Sequence, residues 1–256
     1  MRPNFRALAS AAALAAGALT LALAPNGAMA APAPSGAAAL PDIPAPWRTA
    51  PDVGALLKQD RVLGPADAPV SVVVWSDPEC PYCKQFAGVP DAAIARANGR
   101  ANLALRMLPL PFHGAAAVIA GMAALCVADQ GGTQAYYKFV NAYFAQTGGN
   151  GRGLPGEAQR GRAAVVDVAT AAGAADGKAV EACTRSKDTL DRLVAEGDAA
   201  ERATVQGTPA VAVRNNVTGE TILVDGAIDG DTLDAAIALM AARSNRQAPP
   251  PPGYSR

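Results

Sequence analysis

Two cysteines three positions apart, in Cys80-Pro81-Tyr82-Cys83, directly follow an almost unbroken apolar run, Val70-Ser71-Val72-Val73-Val74-Trp75. A short run of β-branched residues reads as a buried strand, and the residues from about Tyr82 to about Ala97 suit a helix. The pair therefore stands at a strand-to-helix turn. A first cysteine at that turn meets free backbone N–H groups and the positive end of the helix dipole, both of which favour thiolate over thiol. The second lies one turn deeper. This geometry predicts a nucleophilic, exposed Cys80 and a shielded, resolving Cys83 that open and close a disulfide with little backbone movement.

The first thirty residues carry a different message. Arg2 and Arg6 form a short basic region, Ala7 to Ala24 is alanine-rich and apolar, and Ala28-Met29-Ala30 has the small-residue pattern of a cleavage site. Residues 1–30 are accordingly read as a signal peptide, with an uncleaved anchor as the alternative. Pro25-Asn26-Gly27, just ahead of the small residues, favours removal. Export implies a periplasmic, oxidising compartment in which disulfides persist. The whole chain holds 22 basic and 22 acidic residues, and the absence of a basic patch argues against nucleic acid as a partner.

Residues 31–54 hold Pro32, Pro34, Pro41, Pro44, Pro46 and Pro51 among small residues and read as a flexible linker. Residues 245–256, with Pro249 to Pro252, read as a disordered tail. In between, Leu103, Leu105 and Met107 alternate with Ala104 and Arg106, the period of a second strand. Helical spacing then runs from Gly114 for about ninety residues. Ile119, Met122 and Cys126 share a face ahead of Gly131-Gly132, and Tyr136, Phe139, Val140, Tyr143 and Phe144 form an aromatic stripe that suits core packing. A helix from Lys187 to about Thr204 is expected to turn Leu190 and Val194 inward. Val211 and Val213 begin a hairpin that returns through Thr221 to Val224, and Leu233, Ile237 and Met240 mark a last helix. Without the helical block the order is β-α-β followed by β-β-α.

That order, with Cys80-Pro81-Tyr82-Cys83 opening the first helix and Gly207-Thr208-Pro209 just before the hairpin, resembles the thioredoxin fold. The helical block resembles that of DsbA-type periplasmic thiol-disulfide oxidoreductases, as do Gly64-Pro65-Ala66-Asp67-Ala68-Pro69 before the first strand and Leu108-Pro109-Leu110-Pro111-Phe112-His113 after the second. The resemblance implies an α/β protein, a thioredoxin-like domain of residues 55–112 and 205–244 with a helical insertion at 113–204. It implies attack by Cys80, resolution by Cys83 and a cis Pro209 preceded by Thr208. Thr208 and Pro209, with Pro81 and Tyr82, would meet an extended, cysteine-containing exported polypeptide by strand addition. A membrane or soluble redox partner would recycle the motif, no cofactor would be needed, and the protein would be a monomer. One departure stands out: related proteins often carry a buried acid six positions before the nucleophile, where this chain has Val74. A proton acceptor for Cys83 must come from elsewhere. Asp77 and Glu79 are near in sequence, yet both suit solvated turn carboxylates, and a carboxylate beside Cys80 would raise its pKa.

A redox pair at Cys80 and Cys83 leaves Cys126 and Cys183 for each other, as a structural disulfide within the helical block; two separate buried thiols are the alternative. His113, the single histidine, suits a packing or capping role, although a zinc or copper site made by Cys80, Cys83 and His113 is conceivable. Three functions follow. The first is a dithiol-disulfide oxidoreductase, acting as an oxidant or, on the alternative reading of Pro81-Tyr82 and Thr208, as an isomerase or reductase. The second is a metal-binding module, and the third a chaperone-like holder of unfolded chains.

Overall fold

A computed structural model describes residues 43–247. The expectations for the signal peptide, for the linker up to residue 42 and for the tail from residue 248 lie outside the described residues. Six strands form one mixed sheet: β1 (Arg48–Thr49), β2 (Val62–Leu63), β3 (Val70–Ser76), β4 (Ala101–Met107), β5 (Ala210–Asn215) and β6 (Thr221–Asp225), in the order β1-β6-β5-β3-β4-β2. β3 and β4 are parallel, with Trp75 opposite Arg106, whereas β5 runs antiparallel to both β3 and β6.

The apolar run of β3 is buried on both sides because successive side chains alternate between two covered faces. Val70, Val72 and Val74 join the larger core, made with α2 (Val89–Ala97), α3 (Gly114–Gln146), α5 (Arg162–Ala172) and α8 (Gly230–Gln247). Val73 and Trp75 face the other way, against Ala50, Val53, Ala200 and Ala203. Each such side chain removed from water contributes roughly 1.5–3 kcal/mol.

The helix expected from Tyr82 to Ala97 is two helices, α1 (Pro81–Phe86) and α2. Gly88, at φ 84°, separates them in a left-handed conformation that costs glycine little. The helical insertion comprises α3, which breaks at Gly132, then α4 (Glu157–Arg160), α5, α6 (Gly177–Cys183) and α7 (Lys187–Arg202). Cys126 of α3 and Cys183 at the end of α6 are joined by a disulfide across 57 residues. A loop of that length contributes about 4 kcal/mol in the chain-entropy account. Tyr136 and Tyr137 of α3 reach the backbone of β4, donating to Leu105 O and Leu103 O. Leu105 lies beyond the two residues of β4 that β2 pairs with, so Tyr136 takes the place of a strand partner there.

Two expectations fail on packing. Residues 43–54 belong to the fold rather than to a flexible linker. Trp47, Ala50 and Val53 are buried, and β1 pairs with β6. Arg106 is buried in an ion pair at 2.7 Å with Asp60, whose side chain is also buried, because the segment leading from β1 to β2 covers that side of β4. Leu190 and Val194 point to solvent, and the inward face of α7 is Thr189, Leu193, Glu196, Ala199 and Ala200. Buried Glu196 sets that rotation by pairing with Arg61 and accepting from the Met107 N–H. The final helix also runs to Gln247, past the expected end at residue 244.

Candidate active site

Cys80 is the N-cap of α1, with extended backbone angles and Pro81 in the first turn, where a missing N–H costs nothing. The turn that delivers it is fixed locally: Asp77 Oδ1 accepts from Glu79 N at 2.7 Å, and Cys80 N donates to Asp77 O. Cys83 faces inward one turn later and is 2% exposed. Cys80 is more covered than its position at a helix start predicts, at 5% exposed, because the loop before β5 closes over it. Its Sγ lies 3.3 Å from Thr208 O, and the Thr208–Pro209 peptide bond is cis. Pro209 is buried, whereas Tyr82 is exposed beside the motif.

The two thiols are electrostatically unequal. Cys80 is lowered to about 5, chiefly by a hydrogen bond from the Cys83 thiol, with the backbone N–H groups of Cys83 and Tyr82 adding to it against an opposing effect of burial. Cys83 is pushed well above the ordinary thiol range by burial and by its partner's charge. The upward pull anticipated for Cys80 from neighbouring carboxylates does not prevail.

Asp77 and Glu79 are not solvated: both are fully buried. Asp77 Oδ2 accepts from Leu110 N and from His113 Nδ1, each at 2.7 Å, while its own N–H lies 3.4 Å from Cys83 Sγ. His113 is buried, bound to this carboxylate and stacked edge-on against Phe112. Glu79 accepts from Tyr143 OH at 2.8 Å, from the Thr147 hydroxyl and from Gly153 N at 3.0 Å. Its carbonyl accepts from Asn150 N, and Lys84 Nζ donates to Thr147 O. The loop after α3 is thereby fastened to the residue that precedes the nucleophile. Gly151 has no room for a side chain, since a Cβ there would lie 2.9 Å from His113 O.

Sequence reasoning missed the brace on the Thr208 loop. Asp225 accepts from Gln206 N at 2.9 Å and from Arg48 of β1 at 3.1 Å, and Arg48 also donates to Thr204 O. The Asp77-Pro78-Glu79 turn was legible as an aspartate positioned to bond the backbone two residues on. Tyr143, Thr147 and Gly153 carried no local signal.

The family described as Thioredoxin matches residues 57–238. Among solved structures, Pseudomonas aeruginosa DsbA2 is 28% identical, with 73% of this chain and 97% of that chain covered and a TM-score of 0.61. Bacillus subtilis BdbD, in its oxidised form, is 20% identical over 74% and 96% of the two chains with a TM-score of 0.60. The catalytic domain of Proteus mirabilis ScsC is 20% identical over 75% and 94%, with a TM-score of 0.57. The last two likenesses show the fold. No curated protein sequence matches.

Proposed function

The chain belongs to the thioredoxin family as a thiol-disulfide oxidoreductase of the DsbA type, and from that premise we propose that it is exported and oxidises the thiols of exported polypeptides through Cys80 and Cys83. The observation that carries the direction is the inequality of the pair. A thiolate held at about 5 on Cys80 stabilises the reduced form, and a stabilised reduced form makes an oxidant.

The proposed cycle starts from a Cys80–Cys83 disulfide. A substrate thiolate attacks Cys80 Sγ, the bond to Cys83 breaks with its electron pair leaving on Cys83, and Cys83 gains a proton. A second substrate thiolate then attacks the substrate sulfur of the mixed disulfide and expels Cys80 as a thiolate. Its low pKa makes it a good leaving group. The substrate has lost two electrons and the enzyme holds them as a dithiol until a redox partner, in the membrane or soluble, removes them. Thr208, whose carbonyl lies at Cys80 Sγ, suits pairing with an extended substrate backbone, with Pro209, Pro81 and Tyr82 as flanking contacts. Export rests on the character of residues 1–30, and the reading treats the protein as a monomer.

Equilibrating the Cys80–Cys83 pair with a glutathione buffer tests the direction. A potential less negative than about −200 mV is expected, whereas a value near about −270 mV would mark a reductant. Cys80→Ser separates chemistry from holding: it ends turnover here, and a holder of unfolded chains would keep its activity.

A further inference from the structure

Every cycle requires Cys83 to exchange a proton in surroundings that do not tolerate its charge. Asp77 and Glu79 are poorly placed to supply it. Asp77 is bound by Glu79 N, Leu110 N and His113, and Glu79 by Tyr143, Thr147 and Gly153. Neither borders the space behind the resolving thiol. That space is a cavity with about 30 Å³ of room for water, bounded by Cys83, Ser76, Asp91, Tyr137 and Asn141 among apolar side chains. A buried water needs only about 10–15 Å³ of such room and two or more polar partners, and this lining supplies them.

Asp91 is the only carboxylate in the lining. It is half-buried in the first turn of α2, and its hydrogen bond from Asn141 Nδ2 is long, at 3.4 Å. Burial raises its pKa, so the group is shifted towards the range in which a carboxyl both gives and takes protons. The titratable groups that share the cavity with it are Cys83 from α1 and Tyr137 from α3; β3 and β4 contribute Ser76, Val74, Leu103 and Leu105. Tyr137 is held neutral by burial, with its hydroxyl bonded to Leu103 O and Arg61 O. α8 meets α2 at the Arg96–Asp234 pair, outside this lining.

We propose that Asp91 is the proton-relay group of the resolving thiol, exchanging a proton with Cys83 through water in the cavity. As substrate opens the Cys80–Cys83 bond, the electron pair goes to Cys83 and the Asp91 carboxyl supplies the proton, regaining one from solvent. When the bond re-forms from a mixed disulfide, the Asp91 carboxylate takes the Cys83 proton, Cys83 attacks Cys80, and the other thiolate leaves. Val74, which cannot accept a proton, is thereby compensated from α2. This assignment rests on Cys80 and Cys83 being the exchanging pair.

The test uses the mature protein carrying a Cys80–glutathione mixed disulfide, with release of glutathione followed from pH 4 to pH 8 in wild type, Asp91→Asn and Asp91→Glu. Wild type is expected to accelerate as Asp91 ionises and then level off. Asp91→Asn should release glutathione about a hundredfold more slowly at pH 7, the low end for a positioned acid–base group, and lose the plateau; Asp91→Glu should recover most of the rate. Alkylation of Cys80 in a Cys83→Ser background should be unaffected by Asp91→Asn. Superimposable profiles for wild type and Asp91→Asn would overturn the relay while leaving the exchanging pair intact. No release in wild type would instead sink the reading of the pair, and the relay with it. If Asp91→Asn does not fold, Asp91→Ser carries the same comparison.

Discussion

The backbone N–H of Asp77 points at the Sγ of Cys83 across 3.4 Å. The same residue's carboxylate gathers Leu110 N, Glu79 N and the His113 ring. The end of β3, the resolving thiol and the connection into the helical insertion thus meet at one buried side chain. Such a side chain is a point of leverage, because every donor it satisfies would otherwise be buried without a partner.

Replacing Asp77 with alanine strands those donors. At about 1–3 kcal/mol for each unsatisfied buried group, and allowing for partial relaxation, the loss is expected to be about 3–5 kcal/mol. Urea denaturation of the oxidised protein, in which the thiols do not titrate, measures it. A loss below about 1 kcal/mol would mean that water reaches these groups and the turn is not the fastener described.

The inequality of the thiols predicts a bend in the pH dependence of the reduction potential. Cys80 in the fold titrates at about 5, below its unfolded value of 9.0. Between those values the unfolded chain holds a proton that the native dithiol does not, so the reduced protein gains stability as pH rises from 5 to 9. That contribution is complete above the unfolded pKa and lost as pH falls through the folded one. Cys83, raised by burial, stays protonated throughout this window. Reduction therefore takes up one proton above pH 5 and two below it. The potential should change by about 30 mV per pH unit above the bend and about 59 mV below it. A slope of about 59 mV up to pH 8 would place the Cys80 pKa in the ordinary range.

Glu79 makes a prediction about the insertion. Glutamine in its place keeps one acceptor oxygen but turns an NH₂ group either towards the Gly153 N–H, where donor faces donor, or towards the hydroxyls of Tyr143 and Thr147, which then accept and lose the acceptor for their own protons. A buried donor left without its acceptor costs about 1–3 kcal/mol. Glu79→Gln is expected to lower stability by that amount and to speed amide hydrogen exchange at Asn150 and Gly153, which pack against the site through Glu79 O and Glu79 Oε2. Unchanged exchange there would separate the loop from the redox turn.

The parts of the site that were legible in the sequence are those set by local chemistry. Cys80 at a helix start, Cys83 one turn deeper and Pro209 before a hairpin follow from spacing and turn residues, and β3 as a buried strand follows from its run of valines. What was illegible depends on segments far apart in the chain. Asp77 and Glu79 look solvated until residues 110–113 and 147–153 fold over them. Arg106 brings a charge into a strand that carries no other, and what receives it there is Asp60, from the segment between β1 and β2. Cys80 looks open until Thr208 covers it. In each case a charged or polar group is buried because a distant partner satisfies it, and neither periodicity nor composition encodes that partner.

The rotation of α7 is the sharpest instance, and it can be measured. A pattern read from aliphatic residues alone chooses Leu190 and Val194, which are 41% and 54% exposed. The helix instead buries Leu193, which packs over Gly121 of α3 where a Cβ would lie 3.2 Å from its methyl group. Glu196, one turn on, takes the same face inward despite its charge, since Arg61 and the Met107 N–H meet it there. Leu193→Ala is expected to cost about 2–5 kcal/mol, the range for emptying a packed leucine site. Leu190→Ala and Val194→Ala should each stay within about 0.5 kcal/mol of wild type. Parallel denaturation curves for the three variants decide the matter: a large loss at Leu190 with none at Leu193 would turn the helix back to the face its aliphatic residues suggest and leave Glu196 in water.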